Sequence, residues 1–168
     1  MRIVMLSCNT GEGHNSAAKA IADVLKSKGV ECDLVDVLSC LSPKFSKFVC
    51  NWHARLYKYA PKLWDVGYRI SEKKEAHSDD ITMLYELLSL GSSNLAKILD
   101  KGSYDAAICV HVFSGMMMTE LRKTRNVDLP WYCVATDYTC SPYTEQFDGD
   151  GLFIPAPEQT PEYVGCGL

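Results

Sequence analysis

Short apolar runs and longer stretches of helical spacing take turns along this chain. The apolar runs fall at residues 2–8, 31–37, 105–110, 131–135 and 151–154, and each predicts a strand. Between them the apolar positions recur at helical intervals. Residues 15–28 put Ala17, Ile21, Val24, Leu25 and Lys28 on one face, with Gly29 as a stop. Residues 80–100 do the same with Leu84, Leu87, Leu88, Leu95, Ile98 and Leu99, and residues 113–124 carry Met116, Met117 and Leu121. A last short helix is expected from Pro157 or Thr160 to Val164. Strands that alternate with helices predict a parallel sheet covered on both faces. Right-handed crossovers then favour a Rossmann-like, doubly wound α/β domain spanning residues 1–168.

Residues 43–74 break this alternation and read as a helical insertion, which Pro61 should divide into two helices. Seven aromatics crowd it: Phe45, Phe48, Trp52, Tyr57, Tyr59, Trp64 and Tyr68. Charge is concentrated there too. Residues 44–74 hold eight basic side chains against Asp65 and Glu72, a local charge of +6 in a chain of net charge −4. Rings beside basic residues suit a lipid interface, where the rings enter the headgroup region and the cations meet phosphates. Lys44, Lys47, Trp52, Arg55, Lys58 and Lys62 are the expected contacts with an anionic membrane surface. The plainer alternative is that the aromatics pack inside and the lysines form a solvated face.

The first strand runs into Asn9-Thr10-Gly11-Glu12-Gly13-His14-Asn15-Ser16. Glycines between a strand and a helix allow unusual dihedrals and close backbone approach, and the helix start offers unpaired N–H groups to an anion. His14 adds an ionisable ring, which points to a catalytic loop. Ligands of such sheets bind at the carboxyl ends of the strands, near the switch in strand order. Asp36, His111 and Thr136-Asp137 fall at those ends in the second, third and fourth strands. Gly11, Gly13, Asn15 and His111, with Trp64 and Tyr68 of the insertion, are the expected substrate-binding residues.

Composition narrows the choices. An apolar fraction of 47% with 23% charged residues is ordinary for a soluble globular domain. No apolar run approaches the ~20 residues that span a bilayer, and the N-terminus lacks a secretory pattern. A cytoplasmic protein at the inner face of the membrane is expected. The eight cysteines form no Cys-x-x-Cys pair, so no metal and no other cofactor is expected. Cys8, Cys32, Cys109 and Cys133 lie in or beside the apolar runs and read as buried thiols. Acidic net charge without a recognition motif argues against nucleic acid.

Four segments resemble a known family, the monogalactosyldiacylglycerol synthases and processive diacylglycerol glucosyltransferases, relatives of the MurG-type glycosyltransferases. Gly11-Glu12-Gly13-His14 followed by Asn15-Ser16-Ala17-Ala18 is similar to the family's Gly-Gly-Gly-His loop and helix start. Val35-Asp36-Val37-Leu38 resembles its second strand end. Leu56-Tyr57-Lys58 and Leu63-Trp64 resemble its aromatic insertion. Val110-His111 and Ala135-Thr136-Asp137 resemble its Thr-His-Pro and Val-Thr-Asp segments. Glu12 replaces the middle glycine, and Val112 replaces the proline.

The resemblance implies the N-terminal, acceptor-side half of a GT-B fold, with the C-terminal donor domain absent. It implies sugar transfer from a UDP-sugar to diacylglycerol with inversion, and little activity for this chain alone. Inversion needs a base for the acceptor hydroxyl. His14 is the candidate, because imidazole ordinarily exchanges protons near neutrality; Asp137 is a rival base or a group that orients His14. Two other functions compete. Gly11-x-Gly13-x-x-Ser16 with Asp36 partly imitates an NAD(P) fingerprint, although its third glycine is Ser16. A non-catalytic lipid-binding half-domain is the other.

Overall fold

The first strand, β1 (Arg2–Ser7), is buried along almost its whole length. Its side chains alternate between two cores, as a strand's must. Ile3 and Met5 face one helix layer, while Val4 and Leu6 face the other. The computed structural model describes residues 1–10, 12–59, 78–141 and 143–166. Around β1 the described strands build one parallel five-stranded sheet in the order β2-β1-β3-β4-β5. The partners are β2 (Glu31–Asp36), β3 (Ala106–Cys109), β4 (Trp131–Val134) and β5 (Gly151–Phe153). The chain winds outward from β1 to β2, then crosses back to β3. The switch in strand order therefore lies between β1 and β3, whose registers pair Ile3 with Ala106 and Leu6 with Cys109.

One face of the sheet carries α1 (Glu12–Ser27), which buries Ala18 and Ala22 against Met5, Cys32 and Ala106. The other carries α2 (Val37–Leu41), α4 (Ser78–Gly102) and α5 (Val112–Arg125). Leu88, Leu95 and Leu99 of α4 meet Met116, Met117 and Leu121 of α5 in this larger core. Each such side chain contributes roughly 1.5–3 kcal/mol by leaving water. The domain is thus the Rossmann-like, doubly wound α/β fold that the alternation predicts. Helix α3 (Pro43–Tyr59) follows α2, and α6 (Thr160–Gly165) follows β5 after a single 3₁₀ turn at Pro157–Gln159.

Several boundaries differ from expectation. Each strand ends at least one residue early, because the chain leaves the sheet to form the crevice loops. Helix α1 begins at Glu12 rather than at residue 15, so Gly13 and His14 belong to its first turn and not to a loop. Among the described glycines only Gly29 has a positive φ, so Gly13 uses no special dihedral. The buried stripe of α1 is Ala18, Ile21, Ala22 and Leu25; Val24 is 57% exposed, and Lys28 lies beyond the helix. Leu87 of α4 is exposed as well. The five-residue α2 has no counterpart in the sequence pattern. Asp36 caps it, accepting from the Leu38 N–H, and so ends β2 one residue before Val37. Gly11, Pro61, Lys62, Trp64 and Tyr68 lie outside the described residues.

Candidate active site

The carboxyl ends of β3 and β4 and the first turn of α1 line a crevice beside the switch in strand order, the end of the sheet where such folds bind ligands. His14, His111, Thr136, Asp137, Phe147 and Tyr163 are among its lining residues, and the cleft encloses about 410 Å³ including its mouth. The β1 side is stitched to α1. The Ser7 hydroxyl donates to Asn15 Oδ1 at 2.7 Å, and Asn15 Nδ2 donates to Asn9 Oδ1 at 3.4 Å. These bonds hold the first turn of α1 against the strand end. That turn carries the unpaired N–H groups and positive dipole end of a 16-residue helix. A Cβ at Gly13 would meet nothing within 4 Å, so the turn is open there.

His14 is held through one ring nitrogen. Its Nδ1 lies 3.1 Å from the Val110 carbonyl oxygen and 2.6 Å from Thr136 Oγ1. A carbonyl oxygen only accepts, so the tautomer that satisfies it puts the proton on Nδ1. Nε2 then carries the lone pair, and it makes no hydrogen bond among the described residues. The His111 ring stands edge-on to His14, with centroids 4.5 Å apart.

His111 is bound on both nitrogens. Nδ1 accepts the Phe113 N–H at 3.0 Å and caps α5, so Nε2 bears the proton and donates to Thr10 Oγ1 at 3.1 Å. Ser114 completes the cap by accepting from the His111 N–H. A histidine spent this way positions the helix and its neighbour ring.

Asp137 lines the crevice and accepts from the Ser141 hydroxyl at 3.3 Å. No hydrogen bond joins it to His14 among the described residues; the contacts of His14 Nδ1 are Thr136 Oγ1 and the Val110 carbonyl. Thr136 is the residue that sequence reasoning passes over, since a strand-end hydroxyl carries no signal of which ring it will meet. Asp36 is fully engaged. It accepts from the Asn9 N–H, the Leu38 N–H and the Ser46 hydroxyl, which leaves it poorly suited to grip a ribose.

Two other polar groups of the wall are chemically quiet. Burial pushes the Cys133 thiol up to about 12, so it supplies no thiolate near neutrality. Burial first, and then nearby acidic groups, raise the Tyr163 phenol to about 12, and its O–H donates to the Thr139 carbonyl. No group of three or more His, Cys, Asp or Glu among the described residues is arranged to hold a metal.

Outside the crevice, the described part of the insertion is α3. Lys44, Phe48, Trp52, Arg55 and Tyr59 follow one another at helical spacing and are all exposed, as are Lys47 and Lys58. Phe45 packs instead against the core. No described helix is long and apolar enough to cross a membrane.

Comparison with known proteins adds one finding. No curated protein and no solved structure gives a match. Residues 14–168, from His14 through α6 and beyond, match the family model of monogalactosyldiacylglycerol (MGDG) synthase. With nearly all of its length covered, the chain belongs to the MGDG synthase family.

Proposed function

We propose that this domain is the acceptor half of a glycosyltransferase that moves a sugar from a UDP-sugar to a diacylglycerol-type lipid with inversion. The observation that carries this reading is the His14 ring. It is fixed at Nδ1 by a carbonyl and a hydroxyl, with Nε2 open, in the crevice of a domain from a glycolipid-forming family. Nε2 takes the proton of the acceptor hydroxyl as that oxygen attacks the anomeric carbon. The bond to the diphosphate breaks on the opposite face, and UDP leaves. The imidazolium that forms donates from Nδ1 to the Val110 carbonyl. Thr136 keeps the ring from swinging out.

In this reading the UDP-sugar sits on a C-terminal donor domain, and the present chain alone transfers little or no sugar. The exposed stripe of α3 supports the membrane side of the reading. Phe48, Trp52 and Tyr59 are 64%, 56% and 73% exposed, with lysines and arginines beside them. Such a stripe lies in the headgroup layer of an anionic bilayer and brings the crevice to its acceptor at the inner face of the membrane.

The test is sugar transfer by the enzyme that carries this domain together with a donor domain. His14→Ala should lower turnover by about 10²–10⁴, the usual worth of a general base. Turnover near that of the unaltered enzyme would remove His14 from the chemistry. An NAD titration of the chain separates the oxidoreductase reading, and we expect no binding, because the Asp36 carboxylate is spent on its own cap.

A further inference from the structure

The crevice adjoins a second cavity, of about 500 Å³ including its mouth against about 410 Å³ for the crevice. Three residues, Cys133, Thr144 and Phe147, belong to the walls of both. The remaining wall of the second cavity is Trp131, Leu152 and the backbone of Gly149 and Gly151. Its polar side-chain atoms are few, and of these the indole Nε1 of Trp131 is buried without a hydrogen-bond partner among the described residues. The Thr144 hydroxyl donates to the Ser141 carbonyl at 2.6 Å, and Trp131 turns the benzo edge of its indole toward Gly149. Glycine shapes the wall twice. A Cβ at Gly149 would stand 3.1 Å from that edge, and one at Gly115 would overlap the Phe147 ring. Phe147 and Trp131 stand edge-on, with centroids 5.8 Å apart, and Phe147 lines both spaces. A single water needs only about 10–15 Å³ and two or more polar partners. The inner space here is about 200 Å³, far larger, and its lining is mostly apolar.

We propose that this cavity seats one hydrocarbon chain of the acceptor, which runs past Phe147 while the acceptor's hydroxyl stays at His14. The assignment rests on the lipid-acceptor reading above. Three features select an alkyl chain as the occupant: a wall shared with the crevice at Cys133, Thr144 and Phe147, a mostly apolar lining, and a volume no single water fills. Affinity then depends on chain length, by roughly fourfold per seated methylene.

Calorimetric titration of the chain tests this. The probes are 1,2-dibutyrylglycerol, 1,2-dioctanoylglycerol and sodium octanoate, each below its aggregation concentration. Dioctanoylglycerol should bind at least tenfold more tightly than dibutyrylglycerol. Leu152→Trp, which fills the cavity, should erase that gap. Leu152→Ala, which enlarges it, should widen the gap, and this variant serves if the larger residue impairs folding. Equal binding of the two acylglycerols, or a gap untouched by either variant, would overturn the chain site alone. Octanoate binding as tightly as dioctanoylglycerol would overturn the assignment to the acceptor. Failure of both acylglycerols to bind would contradict the lipid-acceptor reading itself.

Discussion

His14 and Thr136 are 122 residues apart in sequence and 2.6 Å apart in space. With the Val110 carbonyl, this contact holds the ring at Nδ1 and leaves Nε2 without a hydrogen bond among the described residues. Thr136→Val keeps the shape and removes the hydroxyl. Turnover should fall about tenfold with KM nearly unchanged, because the ring is mispositioned and not lost. A rise in KM at constant turnover would instead place Thr136 in binding. The thiols give a second expectation at this scale. Desolvation raises Cys8 to about 12, Cys40 to about 11 and Cys109 well above its ordinary value. Alkylation of the folded protein near neutral pH should therefore spare Cys8, Cys40, Cys109 and Cys133, as peptide mapping would show. Labelling of these four as fast as in urea would contradict the buried core. The residue types at the crevice are legible in the sequence, because strand ends and helix starts announce themselves. Their pairing is not. Asp137 looks like the natural partner of a histidine, yet the backbone turn after β4 delivers its neighbour.

Among the elements, α3 and the β4–β5 edge carry the clearest expectations. The stripe Lys44, Phe48, Trp52, Arg55 and Tyr59 should bind anionic vesicles in a sedimentation assay. Reversing Lys44, Lys47 and Lys58 to Glu should abolish most of that binding at physiological salt, at about 1 kcal/mol per cation near the surface. Unchanged sedimentation would leave α3 as a solvated face. At the sheet edge, Asp150 accepts from Arg122 at 2.7 Å and from the Trp131 N–H at 2.9 Å. The guanidinium first, and then that N–H, hold its carboxyl below the usual range. A depressed carboxyl stabilises the fold above its unfolded pKa and loses that contribution as pH falls through the folded value. The melting temperature should drop as pH falls through and below the ordinary carboxylate range, and Asp150→Asn should flatten part of that drop. Equal drops in the two proteins would show that the pair does not matter. Helical periodicity alone marks the inner faces of α4 and α5, since Leu88, Leu95, Leu99 and Met117 repeat at helical steps. It misjudges Val24 because the inner stripe of α1 runs through Ala18 and Ala22, whose small side chains mark a face less clearly than valine does. It misses α2 because five residues are too few for a period to show.

At the scale of the molecule, the order β2-β1-β3-β4-β5 makes the site. It sets the ends of β1 and β3 side by side with no helix between them. His14 from one side and His111 from the other can then meet ring to ring. The alternation of strands and helices makes the doubly wound sheet readable from the chain. The strand order is not readable in that way, because β2 and β3 are equally good neighbours for β1 on pattern alone. On the proposed function, this crevice receives a lipid acceptor and no dinucleotide. The most direct measurement is an NMR titration of the chain with diacylglycerol in small bicelles, followed by one with NAD. The account predicts that diacylglycerol shifts the signals of His14, Thr136 and Asp137 beyond those of bicelles alone, and that NAD shifts none of them. Shifts at these residues with NAD, and none with diacylglycerol, would contradict it.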